Sequence, residues 1–551
     1  MTIKRTRREF IGEASCAAVG STSLFSTIVN MKMANAIARP QTQTNGNDYK
    51  ALVCLFLAGG NDSFNMLVPT SQESYQEYQT IRSDLALAQS ALLPLNGTVA
   101  DGRTFGVHPS MPEVQQLYNA GDLAFISNVG TLVEPTTIDD YESGMANLPV
   151  GLFSHNDQIE HWQTSVPDQR IGIGWGGRTA DLLRGLNSNQ DISMNISLSG
   201  TNTFQAGTQV VDYAIQNRGN GSVGIERYDA PQGAVDTLKR AALESMLDLE
   251  YQNLFEQTYI NTKQMSIDNH VEFSGAIAGV DPFTTQFSDN EISRSFEMVA
   301  KTIAARQTLG YRRQTFFIMF GGWDHHDEVL NNQMAMLSVV SRALGEFNNA
   351  LVELGVHDDV TTFTASDFAR TLTSNGRGSD HAWGGNHMVM GGAVRGGQIY
   401  GDYPELYANN SLDTGRGALI PTISCDEYFA ELAQWFGVNN GDLSTVFPNI
   451  GRFYDTTSAD LPIGFMDVDG NTQTNPSTPT PAPNSTPTPT PTPAPLNPGE
   501  QPNQLFLPMV SSQNTRKITI PMAGGALALG ASAIAFRAHR VKQDQDKEGS
   551  E

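Results

Sequence analysis

Apolar runs of strand length recur along the chain, and helical patterns separate them. Leu52–Leu57 is apolar on both faces and closes in Ala58-Gly59-Gly60-Asn61-Asp62-Ser63. That is the pattern of a central strand in a parallel sheet whose carboxyl end opens onto a loop. Leu123–Ile126, Asn195–Leu198, Phe316–Phe320 and Val360–Thr364 repeat the signal. Between them lie helical periodicities: Val114, Leu117 and Tyr118 stopped by Gly121; a segment after Ser154 through Ile159 and Trp162; 234–264; 292–310; and 334–354. Alternation of this kind predicts an α/β fold, a doubly wound, mostly parallel central sheet flanked by helices. Ligands of such sheets bind outside the carboxyl ends of the strands, so the residues that close each run are the first candidates for chemistry.

The two ends of the chain follow other rules. Thr6-Arg7-Arg8-Glu9-Phe10-Ile11 precedes a weakly apolar run through Leu24, Phe25 and Val29, then Ala34-Asn35-Ala36. Paired arginines, an apolar stretch and a small-residue cleavage site, in that order, predict a twin-arginine export signal over 1–36, with the twin-arginine translocase as a transient partner. From Asp467 the composition turns to Thr-Pro repeats that cannot build a core, which predicts a stiff stalk over 467–517. Ile518–Phe536 is 19 residues without a charge and is followed by Arg537, Arg540 and Lys542. This predicts a C-terminal transmembrane helix at 518–536 with a cytoplasmic tail at 537–551. The expected arrangement is a catalytic-sized domain over 49–466, at the cell surface or in the periplasm, anchored in the cytoplasmic membrane.

Composition narrows the partners. The 551 residues carry 34 Lys+Arg against 58 Asp+Glu, a formal net charge of −24, and 39% are hydrophobic. The hydrophobic share supports a large core, while the acidity argues against polyanionic partners such as nucleic acid. Beyond the export signal, two of the three cysteines remain, Cys54 and Cys425. They form an even pair able to bridge in an oxidising compartment, although Cys54 sits inside an apolar run and fits a small buried thiol.

The candidate chemistry gathers at the strand ends. Asp62 closes the first run; Asp324, His325 and His326 follow Phe316–Phe320; Asp380, His381 and His387 follow Val360–Thr364. Imidazole and carboxylate are ligands for Zn and neighbouring first-row ions. The set Asp62, Asp324, His326, Asp380, His381 and His387 is large enough for two divalent ions, an arrangement that holds the attacking and leaving oxygens of an ester at once. Zn is the first choice, with Mn, Fe, Ca and Mg compatible. Adjacent His325 and His326 point apart, so one of them is expected to be a ligand. Arg377 and Arg370 are placed either to bind substrate or to pair with these acids. Ser154 stands where a helix N-cap belongs, with Asp157 three residues on, and a hydroxyl at a helix N-terminus lies among free N–H groups that stabilise developing negative charge.

The blocks GGND at 59–62, HPS at 108–110, SHND at 154–157, GGWDHH at 321–326 and SDFARTLTSNGRGSDHAWGGNHMVMGGAVRGG at 366–397 resemble the bacterial family known as domain of unknown function 1501. The resemblance runs from Leu52 to about Phe465. It implies a fold similar to the alkaline phosphatase and sulfatase superfamily, with one metal held by Asp62, Asp380 and His381 and the other by Asp324, His326 and His387. It further implies Ser154 as nucleophile with His155 beside it as catalytic residues, Ser110 being the second choice, and His108, Ser110 and Arg377 as substrate-binding residues. The spacing of Asp324 and His326, two rather than four apart, departs from the superfamily pattern. No sulfatase-type cysteine motif stands at the nucleophile position, which favours phosphate over sulfate esters. The expected activity is metal-dependent hydrolysis of a small-molecule or glycan ester. The rival expectation is a surface protein that keeps the fold and binds partners without turnover.

Overall fold

The computed structural model describes residues 48–97, 99 and 101–468. The expected export signal, most of the stalk and the apolar segment Ile518–Phe536 lie outside the described residues. Among the described residues no helix is long and apolar enough to cross a membrane.

Among the described residues twelve strands form, in chain order: β1 Lys50–Ala58, β2 Leu67–Pro69, β3 Leu93–Pro94, β4 Phe105–Val107, β5 Leu123–Gly130, β6 Asn195–Ser197, β7 Tyr213–Ala214, β8 Arg313–Gly321, β9 Val360–Ser366, β10 Gly385–Met390, β11 Ile399–Tyr400 and β12 Ile423–Ser424. Nine of them make the main sheet in the order β11-β5-β10-β9-β1-β8-β6-β7, with β12 also paired to β5. β2, β4 and β3 make a small antiparallel sheet. All five apolar runs read from the sequence are strands of the main sheet.

β1 is the central strand its composition predicts. Ala51 to Leu57 are all buried, and each large aliphatic or aromatic side chain among them stabilises the fold by about 1.5–3 kcal/mol of removed apolar surface. Its parallel registers align Ala58 with Gly321 of β8 and Leu57 with Ser366 of β9. Three strands therefore end at one level, and the loops after them leave from the same edge of the sheet.

One departure concerns β10. The sequence reading treats the segment after Asp380 as a ligand-bearing loop, but Gly385–Met390 enters the sheet antiparallel to both β5 and β9. Six consecutive buried positions satisfy their backbone by pairing with strands on both sides. The sheet is thus mostly parallel with one reversed strand near its middle.

Helices cover the sheet. Val329–Glu353 packs on Glu291–Ala304 and on Pro112–Ala120, and Cys425–Phe436 is buried at every residue but Glu427. Ser424 and Glu427 close a reciprocal capping box at the start of that last helix, satisfying two N–H groups that would otherwise be orphaned. The stretch read as one helix over 234–264 is two, Ala234–Leu247 and Leu254–Ala278. Cys54 and Cys425 are both buried free thiols.

Candidate metal centre

Three loops at the aligned strand ends build the site. After β1 the chain turns through Gly59 at φ 122°, where a Cβ would lie 2.5 Å from the Asp324 backbone nitrogen. Only glycine lets the two loops approach this closely. After β8 the chain passes through Trp323 to Asp324 and His326; after β9 it passes through Asp367, Phe368 and Arg370 to Asp380 and His381. The helix His155–Thr164 brings His155 in from the side.

His155, Asp324 and His381 converge, each offering one ligand atom, with all three atoms within 4.8 Å of one another. His155 Nε2 is 3.4 Å from one Asp324 oxygen, and His381 Nε2 is 3.4 Å from the other. His326 stands beside them, its Nε2 3.0 Å from Asp324 Oδ1 and 3.1 Å from His381 Nε2. Three imidazoles thus turn the same nitrogen towards one carboxylate.

Their opposite nitrogens explain this. His155 Nδ1 is 2.7 Å from Asp367 Oδ2, His326 Nδ1 is 3.0 Å from Asp380 Oδ1, and His381 Nδ1 is 2.8 Å from the carbonyl oxygen of Phe153. Carboxylates and carbonyls only accept, so each Nδ1 carries the proton and each Nε2 keeps a lone pair aimed inward. Carboxylate or carbonyl support behind a ligating histidine is how proteins fix the tautomer and orientation for a metal. Phe368 forms an apolar wall, its ring centroid 4.8 Å from that of His155 and 4.4 Å from that of His381.

The electrostatics fit a cation. Burial would raise the Asp324 carboxyl, but the hydrogen bond and charge of Arg370 hold it below the usual carboxylate range. Asp380 is likewise brought down to about 2 against its burial by Asn375, Arg416 and His326. The hydrogen bond that His155 donates to Asp367 raises its imidazole above the ordinary value, against some burial. Burial lowers His381 below the ordinary imidazole value. Nitrogen donors with one carboxylate suit Zn and other first-row ions better than Mg or Ca, which prefer oxygen.

The expected six-residue ligand set is only partly gathered. Asp324, His326 and His381 come together. Asp380 stands behind His326, its oxygens engaged by His326, Asn375 and Arg416. Asp62 does not join: it is fully buried, ion-paired with the equally buried Arg82, and accepts from Ser379 Oγ at 3.4 Å. A guanidinium, rather than a shared ion, balances its charge. His387 does not join either. It lies inside β10, its ring 4.7 Å from Trp162 and 6.0 Å from Tyr428, and burial pushes it down to about 3. A strand position facing the helices, not a loop, accounts for this.

The remaining candidates separate as follows. His108 is buried, and its Nδ1 accepts from the Ser110 backbone N–H at 3.1 Å; burial lowers it to about 4. Both residues serve the loop that follows β4. Ser154 occupies the N-cap position but makes no cap bond with its side chain, which instead hydrogen-bonds Asp157. Arg377 is exposed, with Nε 3.2 Å from Asp327 Oδ1. His325 is buried and its Nδ1 has no protein partner. Sequence reasoning missed Asp367, although it closes β9 just as Asp62 follows β1, and it placed His155 beside the nucleophile rather than among the donors.

A family profile described as "Protein of unknown function (DUF1501)" matches residues 49–415. The chain belongs to the DUF1501 family. The family expected from the sequence blocks is therefore the one that matches. No curated protein matches this DUF1501 chain. Among solved structures it is similar to the lipoteichoic acid synthase LtaP from Listeria monocytogenes, at 9% identity and TM-score 0.26 over 72% of this chain and 80% of that one. It is also similar to the PsFucS1 sulfatase from Pseudoalteromonas sp., at 12% identity and TM-score 0.26 over 69% of each chain. A third similarity is to TAB5 alkaline phosphatase, in a mutant with Mg bound, at 11% identity and TM-score 0.24 over 63% of this chain and 91% of that one.

Two predictions follow from this geometry. Zn affinity should rise with pH until the medium passes the raised pKa of His155, because the metal and the proton compete for the same Nε2. In Asp367→Asn that pH midpoint should move down while affinity at the alkaline plateau falls about 10–100-fold, both read by competitive chelator titration. Replacing the fully buried Arg370 by Met should cost about 3–5 kcal/mol in urea unfolding, since it leaves Asp324 and several carbonyls without their cation.

Proposed function

We propose that this protein hydrolyses phosphate esters, and less readily sulfate esters, at a single-metal centre held by His155, Asp324 and His381. The observation that carries this reading is the convergence of the three ligand atoms, with protonated Nδ1 atoms behind the imidazoles. A divalent ion bound there would act as a Lewis acid on an ester oxygen. The chain's own residues supply the rest. Ser154, adjacent to His155 and at the start of its helix, is assigned the attacking hydroxyl, and the free N–H groups of the helix's first turn offer partial positive charge to the ester's oxygens. His326, half-exposed and supported by Asp380, is assigned the Ser154 proton, taken on the lone pair of Nε2 as the hydroxyl attacks and then returned to the departing alcohol oxygen. Phe368 excludes water from one side of the imidazoles. Water then releases phosphate from Ser154.

The single-ion assignment replaces the expected pair of ions, because Asp62 is already neutralised by Arg82 and His387 is enclosed. Export through the twin-arginine route and tethering by Ile518–Phe536 belong to the same proposal and rest on the sequence pattern alone.

A panel of aryl phosphate and aryl sulfate esters tests the activity on metal-loaded protein. Ser154→Ala should lower kcat by at least about 100-fold while metal content stays at one equivalent, and mass spectrometry of acid-quenched wild type should find phosphate on Ser154. Full activity in Ser154→Ala would remove the serine from the reaction, and no turnover of any ester by the loaded protein would remove the hydrolase reading.

A further inference from the structure

Two Gly-Arg-Gly turns flank the pair His326–Asp380, and each brings an arginine to its rim. In the first, at 376–378, Asn375 Oδ1 accepts from the backbone N–H of Arg377 at 3.1 Å and of Gly378 at 2.8 Å. Asn375 Nδ2 meanwhile donates to Asp380 Oδ1 at 3.0 Å and to the His326 carbonyl at 3.2 Å. This turn is pinned directly to the site, and its arginine points outward with Nε 3.2 Å from Asp327 Oδ1.

The second turn, at 415–417, comes from a distant part of the chain and has three successive residues at positive φ, Gly415 at 123°, Arg416 at 60° and Gly417 at 76°. A non-glycine residue in that region costs free energy and persists where the surroundings enforce it. The surroundings are specific: Asp413 Oδ1 accepts from Gly415 N at 2.8 Å and Gly417 N at 2.7 Å, and the Arg416 carbonyl accepts from Thr373 N at 3.1 Å and Thr373 Oγ1 at 3.0 Å. The result delivers Arg416 Nη1 to Asp380 Oδ2 at 2.5 Å.

Each guanidinium is fixed by one carboxylate and keeps nitrogens without a protein partner among the described residues. The Arg416 side chain remains 52% exposed and that of Arg377 72% exposed; the first holds Asp380 behind His326 and the second pairs with Asp327, the residue after His326, which sets both at the rim of the candidate centre. Guanidinium is the side chain suited to bidentate recognition of phosphate or sulfate. In a chain whose net charge is −24, two arginines held at the rim of an ester-binding centre stand out from the surrounding field.

We propose that Arg377 and Arg416 form a second anion-binding subsite, so that the substrate is an ester whose alcohol portion carries a further phosphate or sulfate group. The class is a multiply phosphorylated or multiply sulfated small molecule or glycan, with one anionic group at the metal centre and another on the two arginines. This rests on the hydrolase reading for its first group, but anion binding can be measured without turnover.

The test uses full-length, metal-loaded protein and two probes without a scissile ester, phenylphosphonate and meta-phenylenebisphosphonate, titrated by calorimetry. The wild type should bind the bisphosphonate at least about tenfold more tightly, and in Arg377→Gln/Arg416→Gln that ratio should fall to about two, the statistical factor. Arg416→Lys should keep an intermediate ratio, because the charge stays and the fork is lost. Using a ratio within each variant cancels any general weakening of the centre through Asp380. Equal ratios in wild type and the double variant, or no preference in the wild type, would overturn the subsite. Binding of both probes with the expected ratios but no hydrolysis of any ester would leave the subsite standing and sink the hydrolase reading instead.

Discussion

A single buried guanidinium ties the working end of this molecule together. Arg370 donates from Nε to the carbonyl of Gly60 at 2.9 Å, from Nη1 to Ser379 at 3.2 Å, and from Nη2 to Gly59 at 2.8 Å and Trp323 at 3.2 Å, and it pairs with Asp324. Its acceptors come from the loops after β1, after β8 and before β10. A buried cation is costly unless every donor is used, and here the loops meet where their carbonyls satisfy it. The close approach of Gly59 to the Asp324 backbone is part of the same constraint. Without this knot the aligned strand ends would provide an edge, not a site.

From that constraint the electrostatics follow. Arg370 holds Asp324 ionised at the point where three imidazoles converge, and the acceptors behind those imidazoles keep their inward nitrogens free. Further in, Asp62 and Arg82 neutralise each other out of contact with solvent. One carboxylate is thus left for a cation and the other is internally compensated. This division supports one ion where the superfamily resemblance implies two, and it explains why residues at equivalent strand-end positions take different roles.

The fold was legible because it rests on short-range signals. β1, β5, β8 and β9 are apolar runs closed by glycine or polar residues, and β-strands buried on both faces leave that mark. The same logic found Asp324, His326 and His381, since it points to strand ends. It could not find which donors face one another. Asp62 and Arg82 are 20 residues apart in sequence and meet only through tertiary packing, as do Asp367 and His155, 212 apart. His387 illustrates the opposite failure: beside a Gly-rich segment it reads as a ligand, yet β10 carries it between Trp162 and Tyr428. The support of Asp380 by Arg416 was equally invisible, because it depends on a turn of three positive-φ residues that no local periodicity announces.

The most direct test of a single centre at the strand ends is anomalous diffraction at the Zn edge from crystals of the metal-loaded protein. The account predicts one peak, about 2.0–2.1 Å from the Nε2 atoms of His155 and His381 and about 2.0–2.2 Å from an oxygen of Asp324. A peak bound to Asp62 or His387, or none near Asp324, would contradict it.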